Sequence, residues 1–204
     1  MFRALRHRNF RLYIAGMAVS LAGTWMQQLT QAWLIYRLTR SEFSLGLTWF
    51  FANLPVLLLG PLAGLAADRF PRRRIVIVTQ AVAMIQAITL AALTLTGHVK
   101  VWHVIALAAV LGISNAFDIP ARQALFIRLV GKEDLLNAIS LNSATFNSAR
   151  VVGPSLAGFV VARFGEGACF TLNAISFTAV LGSLFLMDVY EEPGPPSVET
   201  EWQR

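Results

Sequence analysis

The chain has 204 residues, of which 56% are hydrophobic and only 14% charged, with a formal charge of +6. A soluble domain of this size needs more polar surface than that to cover its core. The single cysteine, Cys169, excludes an internal disulfide framework.

Charges are clustered, and long uncharged runs separate them. Arg3, Arg6, Arg8 and Arg11 make residues 1–11 a basic N-terminal segment. The apolar run that follows extends to Tyr36, longer than a secretory h-region of about 7–15 residues, and reads as a retained first helix. Leu12 to Tyr36, Phe43 to Ala67 and Ile75 to Val99 each lack Asp, Glu, Lys and Arg for 25 residues. As helices, such runs are about 37 Å long and cross a hydrocarbon core of about 30 Å with some tilt. Gly167 to Met187 is a shorter run of the same kind. Between Val101 and Ala162 the pattern is broken by Asp118, Arg122 and Arg150, and two more helices are expected there, with ionisable side chains facing other helices or a water-filled cavity. The expected helices span about 12–36, 43–67, 75–97, 102–129, 135–162 and 168–187, so residues 12–187 form an all-α bundle of six transmembrane helices. Residues 188–204 form a short acidic, proline-rich tail (Glu191, Glu192, Pro193, Pro195, Pro196) without helical period.

The positive charge is one-sided, which points to a membrane and not to nucleic acid. With the N-terminus cytoplasmic, the inner segments hold Arg3, Arg6, Arg8, Arg11, Arg69, Arg72, Arg73, Arg74, Arg128 and Lys132, against Arg37, Arg40, Lys100 and Arg163 outside. This bias places both termini in the cytoplasm and puts Trp33, Trp49 and Trp102 near the outer interface.

An internal repeat runs through the same elements. Gly64-Leu65-Ala66-Ala67-Asp68-Arg69-Phe70-Pro71 recurs as Gly158-Phe159-Val160-Val161-Ala162-Arg163-Phe164-Gly165, offset by 94 residues, and Gly60-Pro61 matches Gly153-Pro154, offset by 93. An offset of three helices inverts the second copy, so the bundle is expected to be two inverted three-helix repeats.

Gly64-x-x-x-Asp68-Arg69-x-x-Arg72-Arg73, placed between the second and third helices, resembles the signature loop of the major facilitator superfamily. Pro71 stands where that family has Gly, and its fixed φ cannot supply the positive φ of glycine. The resemblance implies the N-terminal six-helix half of a twelve-helix fold, with Asp68 in a charge latch to the second half that shuts the cytoplasmic side. Asp68 sits at the unfavourable end of a helix dipole, so Arg69, Arg72 or Arg73 are local candidates to compensate it. Arg74 reads as a topology and lipid-headgroup residue. Asp118-x-Pro120-x-Arg122-Gln123-Ala124 is similar to a segment of the branch containing siderophore and macrolide exporters.

Asn115, Asp118 and Arg122 share one face of the fourth helix, which Pro120 should loosen. Ser143, Asn147 and Arg150 form a comparable face on the fifth. Counted from the outer ends, Arg150 lies about 18 Å deep and Asp118 about 24 Å. Asp118 is expected to pair with Arg122 or Arg150, either for proton coupling beside the cavity or as structural neutralisation alone. Trp25, Gln27, Gln28, Gln31, Asn115 and Asn147 are candidate cavity-lining residues, with at least one glutamine bonding between helices. Gly60 with Gly64, and Gly153-Pro154-x-x-x-Gly158, which loosely resembles the glycine-proline motif of antiporters, are candidate helix-packing positions.

No HExxH, GxSxG or paired-cysteine pattern occurs, and no glycine-rich loop ends in Lys-Ser or Lys-Thr, so neither an enzyme, a metal site, a cofactor nor an ATP site is expected. The expected function is proton-coupled export of a small organic molecule such as a drug or siderophore. The alternative is a truncated, non-transporting fragment or interaction subunit. Because the resemblance covers six of twelve helices, a second half or a homodimer is an expected partner, beside lipid, substrate and protons.

Overall fold

The computed structural model describes residues 3–131 and 133–188. Lys132 and the acidic tail from residue 189 onward lie outside the described residues. Six α-helices follow one another: α1 Arg8–Thr39, α2 Glu42–Arg69, α3 Arg72–Leu95, α4 Val101–Val130, α5 Leu135–Phe164 and α6 Glu166–Leu186. A 3₁₀ turn over Arg3–Arg6 precedes them. The basic N-terminal segment is therefore partly helical, and Arg8 and Arg11 belong to α1. The cluster Arg72–Arg74 is likewise the first turn of α3 and not a loop.

The connections are short, and their residues explain how the chain reverses. Arg40 takes a left-handed conformation (φ 51°), and its N–H closes α1 on the Tyr36 carbonyl. Ser41 then caps α2 by accepting from the Ser44 N–H at 3.4 Å. Gly165 alone joins α5 to α6 at φ 80°, where a side chain would be strained. Pro71 caps α3 at φ −56°, so the α2–α3 reversal uses no positive φ at this position. α4 runs through Pro120 to Val130 without interruption. The proline nevertheless removes the N–H that would bond to the Ala116 carbonyl.

α1, α3, α4 and α6 form the interior: α3 lies between α4 and α6, and α1 lies along α6. α2 packs mainly on α4, and α5 mainly on α1, so these two helices flank the interior. Phe10, Tyr13 and Met17 of α1 meet Leu125, Phe126 and Leu129 of α4 and Val180 and Leu184 of α6 in the larger core. Phe10 and Tyr13 both set their rings edge-on to Phe126, at 5.4 and 6.1 Å between centroids. Leu34, Ile35, Leu90, Val104 and Phe170 form a second core at the opposite end.

Close helix approach occurs at glycines other than most of those expected. Gly16 faces Ser183, Gly23 faces Ser176 and Asn173, and Gly112 meets the Ala52 carbonyl. Gly153 meets Trp25 Cβ and the Ala22 carbonyl. Gly60, Gly64 and Gly158 have nothing within 4 Å of where a Cβ would stand, so they do not seat a neighbouring described helix. Pro154 is half-buried beside Gly153. Spacing i, i+4 places Gly60 and Gly64 on one face, but no described helix comes close to that face.

α2, α3, α4 and α6 are each long and apolar enough to cross a membrane. α1 and α5 are as long, but Gln27, Gln28 and Gln31 in one, and Ser143, Asn147 and Arg150 in the other, dilute their apolar character. On α2, Phe43, Trp49, Phe50, Leu57, Leu58 and Leu62 are all exposed. A surface of that kind is at home in lipid or against another apolar face.

Candidate translocation site

Among the described residues the most enclosed carboxylate is Asp118, on α4, at 2% exposure. Its Oδ2 pairs with Arg122 of the same helix at 2.9 Å. Its Oδ1 accepts from the Thr79 hydroxyl at 2.9 Å and from the Gln80 amide at 3.0 Å, both on α3. Ser114, one turn before Asp118, donates to the Thr79 carbonyl at 2.7 Å and ties the helices together again. The i, i+4 spacing delivers the arginine to one carboxylate oxygen, and the two α3 donors satisfy the other, the partnering that a carboxylate buried in a low dielectric requires. The pairing alternatives therefore separate: Asp118 is with Arg122, and Arg150 stands elsewhere. Thr79 and Gln80, which the sequence reading did not single out, are the partners it missed. Polar side chains inside an otherwise apolar 75–97 run were the available signal.

A cavity of about 630 Å³ opens between α1, α2 and α4. Gln27, Gln28 and Gln31 of α1, Asn53 of α2 and Asn115 of α4 give it polar groups, and Trp49, Val56 and Leu111 give it apolar wall. Of the three glutamines, Gln27 is committed to the fold. Its Nε2 donates to Gln86 Oε1 at 2.9 Å, and its Oε1 accepts from Asn173 Nδ2 at 2.8 Å, linking α1 to α3 and α6. Gln28 is exposed.

Two of the expected lining residues are not part of this cavity. Trp25 sits against α5, edge-on to Phe146 at 5.6 Å between centroids. Asn147 is exposed on α5, and its amide returns to the Ser143 carbonyl at 2.8 Å. Between them Arg150 lies over the Trp25 ring, 5.5 Å from its centroid. Packing explains the shift: Gly153 lets α1 press Trp25 onto α5, away from α2 and α4.

At the α2–α3 turn, Asp68 and Arg69 are exposed. Among the described residues Asp68 forms no ion pair, and Arg72 and Arg73 after it bond to backbone carbonyls. Arg72 Nε donates to the Ala67 carbonyl at 3.3 Å, and Arg73 Nε to the Leu184 carbonyl at 2.8 Å. Arg73 thereby supplies positive charge to the carbonyl end of α6, a favourable match to that helix dipole. The same end of the bundle gathers the N-terminus: the Ala4 N–H donates to Asn137 Oδ1 at 2.9 Å, and His7 Nε2 lies 3.0 Å from Asp134 Oδ2.

Long apolar helices, a polar cavity walled by them, and a carboxylate–guanidinium pair sunk in a helix interface define the class of polytopic α-helical membrane proteins. The model of one family, described as transmembrane secretion effector, matches residues 1–195. The chain belongs to that family, within the major facilitator superfamily. It is 30% identical over 161 residues to a staphyloferrin A transporter of Staphylococcus aureus, covering 78% of this chain and 41% of that one. It is 27% identical over 175 residues to an uncharacterized MFS-type transporter of Bacillus subtilis, covering 85% and 41%. To macrolide efflux protein A of Streptococcus pyogenes it is 26% identical over 183 residues, covering 88% and 44%. The chain thus spans about two fifths of the length of these curated relatives.

Proposed function

We propose that the chain forms the six-helix half of a secondary transporter that exports a small organic molecule in exchange for protons. The observation that carries this reading is Asp118, a carboxylate sealed at 2% exposure yet held by a guanidinium and two neutral donors. An ionisable side chain inside a membrane helix is costly and marks a proton or substrate path by default. Protonating Asp118 would dissolve its pair with Arg122 and slacken the α3–α4 contact beside the cavity, which couples proton occupancy to helix position. Relatives named for macrolide efflux and multidrug efflux support export, and the staphyloferrin relative supports a small organic cargo.

Further parts of the reading rest on placement. The arginine bias orients the chain with both termini cytoplasmic. α2 lies on α4 as α5 lies on α1, and α3 lies on α4 as α6 lies on α1, the pairing expected of two inverted three-helix repeats. Asp68, exposed and without a partner among the described residues, is available as the latch to a second half, whether that half is a separate segment or a second copy.

The test is efflux from proteoliposomes under an imposed proton gradient, comparing the wild-type protein with Asp118→Asn and with Asp118→Asn/Arg122→Gln. The double variant keeps the cluster neutral and guards against misfolding. Gradient-driven efflux in the wild type that both variants lose is the expected result. Undiminished, equally pH-dependent efflux in a folded double variant would remove the coupling role.

A further inference from the structure

The second intramembrane arginine has no place in the scheme above. Arg150 lies 15 residues from Leu135 and 14 from Phe164, the two ends of α5. It is thus about 22 Å and 21 Å from them, at the middle of the helix. It is exposed, and it makes no ion pair with any described residue. A bare guanidinium is costly against lipid tails at that depth, so its face of α5 calls for water, an anion or further protein.

The surroundings hold the group ready for one. Arg150 rests over the Trp25 ring at 5.5 Å. Phe146 braces that ring from its edge, and the close contact at Gly153 fixes α1 there. A guanidinium drawn to an aromatic face by its charge still has N–H groups to offer, and a carboxylate engages them through two parallel bonds. Asn147 and Ser143 continue the exposed polar stripe one and two turns before Arg150. The Asn147 amide nitrogen donates to the Ser143 carbonyl at 2.8 Å and to the Ser143 hydroxyl at 3.4 Å, which holds the stripe's polar groups in place. On the facing helix, exposed Gln28 stands three residues after Trp25 and also lines the cavity between α1, α2 and α4. α1 thus carries both Trp25, which meets the stripe, and Gln28, which lines the cavity.

We infer that Arg150 binds a carboxylate of the transported molecule, making organic anions the substrate class. This rests on the transporter reading and goes beyond it, because the relatives' names point to cargoes of different kinds. A carboxylate could also come from the protein itself, on the second half. The binding experiment separates these sources.

Purified protein in detergent is titrated with citrate, benzoate and, as a neutral counterpart, propane-1,2,3-tricarboxamide, with thermal stability and calorimetric binding as readouts. Expected are stabilisation and binding by at least one carboxylate, no effect of the tricarboxamide, at least tenfold weaker binding in Arg150→Gln, and partial retention in Arg150→Lys. Equal carboxylate binding by wild type and Arg150→Gln overturns the inference. So does binding of neither acid, together with a marked fall in the melting temperature of Arg150→Gln, which assigns the arginine to an acid of the protein. Carboxylate binding without gradient-driven efflux leaves the anion site standing and removes the transporter reading. Efflux of a cationic dye without carboxylate binding does the reverse.

Discussion

Arg122 and Arg150 occupy adjacent helices, and each follows a polar residue on its own helix face. Their fates differ completely. Arg122 is satisfied by Asp118 four residues earlier on α4, and that carboxylate is in turn held by two side chains of α3. Arg150 has no acid at i−4 or i−3, finds only an aromatic ring, and stays exposed. One charge is absorbed by the fold and holds two helices in register; the other is left for something that is not one of the described residues. Membrane depth does not decide between structural and ligand-binding roles. Local pairing does.

The largest effect expected from this contrast comes from breaking the absorbed pair. Asp118→Asn strands a guanidinium in a helix interface and should cost about 3–5 kcal/mol. Denaturation in detergent measures that loss, and adding Arg122→Gln should recover most of it. Next is Gly153→Val, whose side chain would collide with Trp25 Cβ and the Ala22 carbonyl. A loss of about 1–3 kcal/mol is expected from overpacking, together with a change in Trp25 fluorescence as the indole is pushed from under Arg150. The control is Gly158→Ala, at an exposed mid-helix position with open space, which should stabilise by about 0.5–1 kcal/mol. Smaller still is Arg37→Ala, which removes a 2.7 Å pair with Glu166 at the joint between α1 and α6. With the Arg37 side chain half exposed, about 0.2–1 kcal/mol is expected in the same denaturation series. Arg150→Gln should change stability least, by less than about 0.5 kcal/mol, as befits an exposed side chain outside any ion pair.

How far the sequence disclosed this arrangement depends on whether the feature is one-dimensional. Uncharged runs and clustered arginines are properties of a line of residues, and they locate the apolar helices. Asp118 with Arg122 was within reach because four residues make one turn. Rotation about a helix axis is different, since it depends on which neighbours the helix finds. Gly60 and Gly64 carry the spacing of a packing motif yet face no described helix, whereas Gly16 and Gly23, seven apart on α1, seat α6. Gln27 finds its partners 59 and 146 residues away, a separation that no local pattern encodes. Trp25 left the cavity for the same reason: a glycine on another helix made room for it. At the α2–α3 turn, the arginines beside Asp68 bond to backbone carbonyls at the ends of α2 and α6, a choice available only once those helix ends are in place.

Thiol labelling tests the central contrast most directly. In a Cys169→Ala background, cysteines replacing Asn147 or Arg150 are exposed in intact membranes to a water-soluble, membrane-impermeant methanethiosulfonate reagent. A cysteine replacing Ala87, fully buried on α3, serves as the sealed reference. Rapid modification at 147 and 150 with none at 87 is the expected result, because the polar stripe of α5 borders a water-filled path. Failure of both α5 positions to react would contradict it and place that face against lipid or a tightly packed helix.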